Sequence, residues 1–202
     1  MNLRAIYFDF GGVIARTEFQ APRQHLADRL KVEYEYLLKL VFESESARQA
    51  GLGMITEEQH FAKVMETLHL PVSEARSFAD EFFSGDVTDR ALLNMARELR
   101  KTHKVGLISN AWSGLRAWMT NQKMVDAFDE LIISAEVGLA KPDPRIYQLA
   151  LEKLGIQAGD SVFLDDFKEN VEAARAVGML AIHFVDPQTA IAELNALLAD
   201  HH

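Results

Sequence analysis

Residues 3–14 read Leu3-Arg4-Ala5-Ile6-Tyr7-Phe8-Asp9-Phe10-Gly11-Gly12-Val13-Ile14, a largely apolar run that stops at one carboxylate and two glycines. The apolar part is too short for a helix, and its continuous hydrophobic character is typical of a buried strand in a parallel sheet. Asp9 therefore stands where this strand leaves the sheet, and ligands of open α/β sheets bind outside the carboxyl ends of the strands. Gly11 and Gly12 allow a sharp turn and a close approach of a ligand to backbone amides.

From residue 88 onward, short apolar runs alternate with amphipathic segments. The runs predict four further strands, over 104–108, 130–134, 161–164 and 180–185. The segments between them predict helices over 91–101, 112–122, 145–154 and 189–199, and one that ends at 177. This alternation predicts an α/β fold with a Rossmann-like, doubly wound parallel sheet.

Residues 16–85 interrupt the α/β pattern, because we find no convincing strand among them. Their periodicity predicts helices over 20–30, 33–43 and 73–83, and another that starts at Thr56. Thr56 followed by Gln59 matches a capping box, which favours a helix start. We therefore expect a discontinuous α/β core of residues 1–15 and 86–202. Residues 16–85 would form an inserted all-α cap, with hinges near 15–16 and 84–86.

The aromatic side chains of this insertion are expected to fill the core between its helices; they are Phe19, Tyr34, Tyr36, Phe42 and Phe61. Trp112 and Trp118 lie six positions apart and so cannot share one face of a helix. We therefore expect one of these two tryptophans to pack inside.

The composition excludes several classes of function. The chain has 202 residues and a net charge of -9, which argues against electrostatic binding to nucleic acid or to an anionic membrane surface. It has no cysteine, which excludes disulfides, zinc–thiolate sites and a thiol nucleophile. We find no apolar run near the ~18 residues of a membrane span and no signal-peptide pattern. We expect a cytoplasmic monomer or homodimer, and we assign no role to His201 and His202.

Polar residues follow four of the predicted strands, either directly or through a short loop. They therefore lie at the edge of the sheet where parallel strands end. They are Asp9, Ser109 with Asn110, Lys141 through a short loop, and the pair Asp165-Asp166. Each has an ordinary structural explanation when it is taken alone: a turn, a helix cap, a solvated lysine, or a capping pair of Asp166 with Glu169. Together they are far less easily explained in that way, because the topology brings all of them to one edge.

The adjacent carboxylates Asp165 and Asp166 need a further explanation. Beside a buried strand they repel each other and lose solvation. A divalent cation would remove this cost, and hard oxygen ligands suit Mg²⁺. The set then fits phosphoryl transfer through an aspartyl intermediate, with a carboxylate nucleophile, a cation and a lysine beside the transferred group. The expected partner is a small phosphorylated substrate.

The ordered motifs resemble the haloacid dehalogenase superfamily of hydrolases. They are Phe8-Asp9-Phe10-Gly11-Gly12-Val13, Ile108-Ser109-Asn110, Lys141-Pro142-Asp143, and Phe163-Leu164-Asp165-Asp166 followed by Asn170. The resemblance covers nearly the whole core, and the helical insertion falls where many members carry a cap domain. It is closest to the small sugar-phosphate phosphatases, which include α-glucose-1-phosphate phosphatases.

The resemblance implies a role for each matched residue. Asp9 would be the nucleophile, and Ser109 and Lys141 would bind the phosphate. Gly11, Gly12 and Asn110 would complete the substrate-binding set. Asp9, Asp166 and the Gly11 carbonyl would hold Mg²⁺ with help from Asp165, while Asn170 would orient the site.

Gly11 departs from the pattern of most phosphatases in this superfamily, which place a second aspartate there as general acid and base. A glycine keeps the carbonyl for the metal but removes help that is typically worth ~10²–10⁴-fold. We therefore hypothesise that the substrate has a good leaving group, such as a sugar 1-phosphate or an acyl phosphate, or that the cap supplies the missing group. The cap residues able to do so are Glu18, His25, Glu43, Glu45 and His60.

Two other functions remain open. A haloacid dehalogenase would use Asp9 on a carbon–halogen bond without a metal, but such enzymes usually lack paired acidic residues like Asp165-Asp166. A non-catalytic protein that binds a phosphorylated ligand or a partner chain is consistent with Gly11, although such a binder has no need of a nucleophile.

Overall fold

The computed structural model describes residues 3–200, so His201 and His202 lie outside the described residues. The strands, in chain order, are β1 (Ala5–Phe8), β2 (Ala15–Thr17), β3 (Asp86–Thr88), β4 (Lys104–Ser109), β5 (Glu130–Ile133), β6 (Ser161–Asp165) and β7 (Leu180–His183). The helices, in chain order, are α1 (Ala21–Leu30), α2 (Tyr34–Phe42), α3 (Glu45–Gly51), α4 (Glu57–Thr67), α5 (Ala75–Phe82), α6 (Arg90–Leu99), α7 (Leu115–Asn121), α8 (Ser134–Val137), α9 (Pro144–Leu154), α10 (Lys168–Ala176) and α11 (Pro187–Asp200). Short 3₁₀ turns cover Val72–Glu74, Val125–Ala127 and Ala158–Asp160.

Within residues 3–200, five strands form a parallel sheet in the order β5-β4-β1-β6-β7. β1 lies at its centre, with Ala5 beside Lys104 of β4 on one side and beside Ser161 of β6 on the other. All four residues of β1 are buried, as the apolar run predicts. The predicted α/β fold with a doubly wound parallel sheet is confirmed.

The side chains of β1 alternate between two helical layers, as the period of a strand requires. Ile6 and Phe8 pack in a cluster with residues of α6 and α11, whereas Ala5 and Tyr7 pack with residues of α9 and α10. The Tyr7 hydroxyl donates a hydrogen bond to the Ala150 carbonyl at 2.9 Å, which satisfies the one polar atom of that buried side chain. Within residues 3–200, no helix combines the length and the apolar character needed to cross a bilayer.

Helices α1–α5, which we call the helical insertion, surround an apolar cluster of their own that includes Leu26, Leu37, Val64 and Phe82. Three elements near or inside it were not predicted. Strands β2 and β3 pair antiparallel at its two ends, with Ala15 opposite Thr88. They were not predicted because each has three residues, too few to show an alternation of apolar and polar side chains. Helix α3 has no apolar stripe, and its start depends on a cap in which Ser44 Oγ accepts the Ala47 N–H.

The aromatic residues of the insertion are only partly in its core. Phe61 is buried and Tyr34 packs against the cluster, as expected. Phe19, Tyr36 and Phe42 are exposed, so the prediction for them was wrong. Phe19 precedes α1, and Tyr36 and Phe42 each neighbour in sequence the residues that turn inward, Leu37 and Val41.

Trp112 is half-buried against the apolar cluster of the insertion and Trp118 is exposed, so one of the two packs inward as expected, although not completely. Trp112 belongs to the loop after β4, but its ring lies among aromatic rings of the insertion. The centroid of the Trp112 ring lies 4.7 Å from that of His60, 5.4 Å from that of Phe61 and 6.3 Å from that of Phe42. The helical insertion is therefore packed on a loop that starts at the edge of the sheet where strands end.

Candidate active site

The predicted site residues lie at the ends of three neighbouring strands of the sheet and in one loop beside them. Asp9 follows β1, Ser109 is the last residue of β4, and Asp165 is the last residue of β6. Lys141 lies in the loop that leads into α9. Because these strands are parallel neighbours, their carboxyl ends share one edge, and the structure brings Asp9, Lys141 and Asp165 into direct contact there.

The Lys141 ammonium connects two buried carboxylates. Its Nζ lies 2.8 Å from Asp9 Oδ1 and 2.6 Å from Asp165 Oδ2, and the side chain is almost completely buried. The lysine loop is itself fixed by Asn110, whose Oδ1 accepts the Lys141 N–H and whose Nδ2 donates to the Lys141 carbonyl, both at 2.8 Å. The Asn110 side chain, which we predicted to bind substrate, is thus used to hold the lysine.

Asp165 is held on both oxygens. Oδ1 accepts the Phe167 N–H at 2.8 Å, and Asn170 Nδ2 donates to both Oδ1 and Oδ2, at 3.0 and 3.1 Å. Oδ2 also receives Lys141. Asn170 therefore fixes the orientation of the carboxylate that pairs with the lysine.

Asp9 is buried, and its Oδ1 accepts the Phe10 N–H at 2.6 Å in addition to Lys141. Burial raises the pKa of Asp9 to about 7, the neighbouring Asp165 and Asp166 carboxylates add to this, and Lys141 opposes it. The carboxylate that would act as nucleophile thus depends on positive charge for its ionised form.

Asp166 carries an oxygen without a partner. Among the buried side-chain atoms of the described residues, its Oδ1 is the one that has no hydrogen bond. Burial raises the pKa of this carboxyl, and the Asp165 charge raises it further. Gly12 allows the carboxylate to lie here, because a Cβ at this position, where φ is +77°, would overlap it.

The oxygens of Asp9, Asp165 and Asp166 lie within 4.8 Å of one another. This set of hard oxygen donors, with one buried acceptor unpaired, fits a divalent cation. Gly11 sits beside it in an exposed position, and a Cβ there would meet no atom within 4 Å. Ser109 is buried at the end of β4.

His60 does not fit the role of a proton donor from the insertion. Its Nε2 lies 3.0 Å from the Val41 carbonyl and must donate to it, so Nδ1, at 2.8 Å from Ser46 Oγ, is an acceptor. Burial lowers the pKa of this imidazole, which favours the neutral ring. The other four residues that we considered are exposed, and two of them form ion pairs: Glu18 with Arg16, and Glu45 with Arg48.

Comparison with known proteins places these observations in a family. A family model described as haloacid dehalogenase-like hydrolase matches residues 3–178. Sesquiterpene phosphatase astK from Aspergillus oryzae is 40% identical over 203 residues, which cover 98% of this chain and 97% of that protein. Bifunctional epoxide hydrolase 2 from Rattus norvegicus is 29% identical over 213 residues. That match covers 96% of this chain but 38% of the relative, so this chain spans less than half the relative's length.

A solved structure of a HAD family enzyme from Bacteroides thetaiotaomicron, in complex with magnesium and inorganic phosphate, superposes with a TM-score of 0.77. The sequences are 21% identical, and the match covers 90% of this chain and 93% of that one. This likeness shows a shared fold. The family match, which extends over most of the chain and includes every strand of the parallel sheet except β7, shows that the chain belongs to the haloacid dehalogenase-like hydrolases.

Proposed function

We propose that this hydrolase is a Mg²⁺-dependent phosphatase that cleaves a small phosphorylated metabolite through a phosphorylated Asp9. The observation that carries the proposal is the charge balance of the site. Three carboxylates, Asp9, Asp165 and Asp166, surround the one ammonium of Lys141, so the cluster has an excess of negative charge when all four groups are ionised. A divalent cation would neutralise this excess and give the unpaired Asp166 oxygen a partner.

Asp9, Asp166 and the Gly11 carbonyl would hold Mg²⁺, and Asp165 would support it from its fixed position. When bound, the ion supplies positive charge that stabilises charge on the transferred phosphoryl group. The Lys141 ammonium adds a second positive charge, and the Ser109 hydroxyl and the Gly11 amide would donate hydrogen bonds to phosphoryl oxygens.

The reaction would proceed in two displacements at phosphorus. In the first, a carboxylate oxygen of Asp9 attacks, and the bond to the leaving-group oxygen breaks, so that its electron pair departs with that oxygen. In the second, a water oxygen attacks the phosphorus of the aspartyl phosphate, and the bond between phosphorus and the Asp9 oxygen breaks. Its electron pair returns to the Asp9 carboxylate, and inorganic phosphate leaves with the protons of the water. Lys141 would keep Asp9 ionised and oriented before the first displacement and after the second.

Gly11 limits the leaving group. No side chain at this position can protonate the departing oxygen, and His60 is committed to Ser46 and Val41. A leaving group that departs without a proton therefore suits the site, which supports a sugar 1-phosphate or an acyl phosphate as substrate. The resemblance to α-glucose-1-phosphate phosphatases supports the first of these.

The relatives support the reaction more than the substrate. The relative that matches over nearly its full length is named a sesquiterpene phosphatase, which supports phosphate ester hydrolysis but indicates an apolar leaving group. The epoxide hydrolase named above extends well beyond the matched region, so its name says little about the substrate of this chain.

Phosphate release tests the proposal directly. The substrates are acetyl phosphate, glucose 1-phosphate, glucose 6-phosphate and p-nitrophenyl phosphate, each with Mg²⁺ and with EDTA. We expect turnover that requires Mg²⁺ and that falls by at least ~10³-fold in Asp9→Asn, because the amide cannot act as the nucleophile. Asp126→Asn, a surface carboxylate variant, is the control and should keep full activity. Halide release from a haloacid that persists in EDTA would instead establish a dehalogenase.

The variant Gly11→Asp tests the missing acid. The space at Gly11 accepts a side chain, and its φ is ordinary, so we expect the variant to fold. Hydrolysis of glucose 6-phosphate should rise by at least ~10-fold relative to acetyl phosphate, because only the poorer leaving group needs a proton. Gly11→Asn, which has the same size without an acid, should show no such gain. An equal gain in both variants would contradict this explanation.

The pair Gly12→Ala and Gly138→Ala tests the metal site through stability. Both glycines have positive φ, but a Cβ overlaps the Asp166 carboxylate only at Gly12 and meets open space at Gly138. A ligand that binds the native state raises the melting temperature. We expect Mg²⁺ to raise it in the wild type and in Gly138→Ala but much less in Gly12→Ala. An equal rise in both variants would show that Asp166 does not hold the ion.

A further inference from the structure

The loop of residues 110–114, which we call the bridging loop, contacts the lysine loop at its first residue. It connects β4 to α7. Asn110 makes two hydrogen bonds to the backbone of Lys141, at 2.8 Å each. Ala111 is tied to Ser134, whose Oγ accepts the Ala111 N–H at 3.0 Å and donates to its carbonyl at 3.2 Å. The first half of the bridging loop therefore sets the position of the lysine backbone.

The second half of the bridging loop contacts the helical insertion. Trp112 lies among the rings of the insertion, as described above. Ser113 Oγ accepts the Glu57 N–H at 3.3 Å, and Gly114 donates its N–H to Glu57 Oε2 at 3.1 Å. A residue of the insertion thus holds the end of the same loop whose beginning holds Lys141.

The start of helix α4 fixes the position of the Glu57 backbone. Glu57 is the first residue of α4 and lies inside the capping box, between Thr56 and Gln59, which exchange hydrogen bonds. Such a box fixes the path of the chain at a helix start. Burial raises the pKa of the Glu57 carboxyl, in keeping with its half-buried place against the loop.

Gly114 is needed for this contact on steric grounds. Its φ of -77° is open to any residue, so its backbone does not require glycine. A Cβ at this position would overlap the Glu57 carboxylate. The close approach of the two residues therefore explains the glycine.

We propose that Glu57 is a positioning residue, which acts through the bridging loop to hold the Lys141 ammonium between Asp9 and Asp165. The proposal rests on the proposed phosphatase function for its effect on rate, because Lys141 would bind the phosphoryl group there. Its structural part, the coupling of Glu57 to the Lys141 backbone, does not depend on any activity. Small displacements of a catalytic group cost large factors in rate, up to ~10²-fold for about 1 Å.

The test uses acetyl phosphate, whose leaving group is small, so that a loss of rate reports on the phosphoryl site and not on contacts between the insertion and a larger substrate. In Glu57→Ala we expect kcat to fall by about tenfold with little change in KM. Glu57→Gln keeps an oxygen that accepts the Gly114 N–H and should restore kcat to within about twofold of wild type. Glu66→Ala removes an exposed carboxylate from the same helix and is the control.

Gly114→Ala breaks the same contact from the other side. We expect a fall in kcat similar to that of Glu57→Ala, and the double variant should lose no more than either single one, because both changes remove one interaction. Gly51→Ala, where a Cβ meets no atom within 4 Å, is the matched control. If Glu57→Ala failed to fold, Gly114→Ala alone would still decide the question.

Amide hydrogen exchange provides a readout without substrate. We expect Glu57→Ala to speed hydrogen exchange at the Gly114 N–H, which loses its acceptor. We also expect faster exchange at the Lys141 N–H, which donates a hydrogen bond to Asn110 Oδ1. Unchanged exchange at Lys141, or additive losses of kcat in the double variant, would overturn the proposal. If the wild type released no phosphate from any substrate, the proposed function would fail, and the exchange at Lys141 would still support or overturn the coupling.

Discussion

The site depends on one buried ammonium. Lys141 lies between Asp9 and Asp165 at 2.8 and 2.6 Å, out of contact with bulk solvent. Two buried carboxylates this close repel each other and favour protonation, and a cation between them reverses this preference. Loss of one partner from such a buried cluster typically costs about 3–5 kcal/mol. The loops around the site therefore have to hold this lysine accurately.

Several contacts serve that requirement. Asn110 is hydrogen-bonded to the backbone of Lys141, and Asn170 is hydrogen-bonded to the Asp165 carboxylate. Gly12 leaves the space in which the Asp166 carboxylate lies. The same edge of the sheet thus combines a fixed lysine with an unpaired carboxylate oxygen, which is the combination that a phosphoryl group and a divalent cation would need.

Local sequence patterns predicted the parts of this structure that depend on local physics. The apolar run before Asp9 gives a buried central strand, and Thr56 with Gln59 gives a helix start, because both signals lie within a few residues. The convergence of Asp9, Lys141 and Asp165 follows from topology, since parallel strands end at one edge.

Other features could not be predicted, because they join residues far apart in the chain. Asn110 and Lys141 are 31 positions apart, and Glu57 and Gly114 are 57 apart. No periodicity links such pairs, and Asn110 alone resembles a substrate ligand or a helix cap. The stacking of the Phe42 ring against Trp112 likewise joins two distant parts of the chain and leaves no trace in the local pattern of α2. The sequence shows a glycine at position 114, but the close contact with Glu57 that explains it is visible only in the structure.

The most direct measurement of the central claim is chemical trapping of the reaction intermediate. The protein would be mixed with acetyl phosphate and Mg²⁺, quenched in acid within milliseconds, reduced with borohydride and examined by peptide mass spectrometry. We expect Asp9 to be converted to homoserine, since borohydride reduces an aspartyl phosphate but not a free carboxylate, and the unreacted protein should show no conversion. Phosphate release without any modification of Asp9, or with the modification on another carboxylate, would contradict Asp9 as the nucleophile.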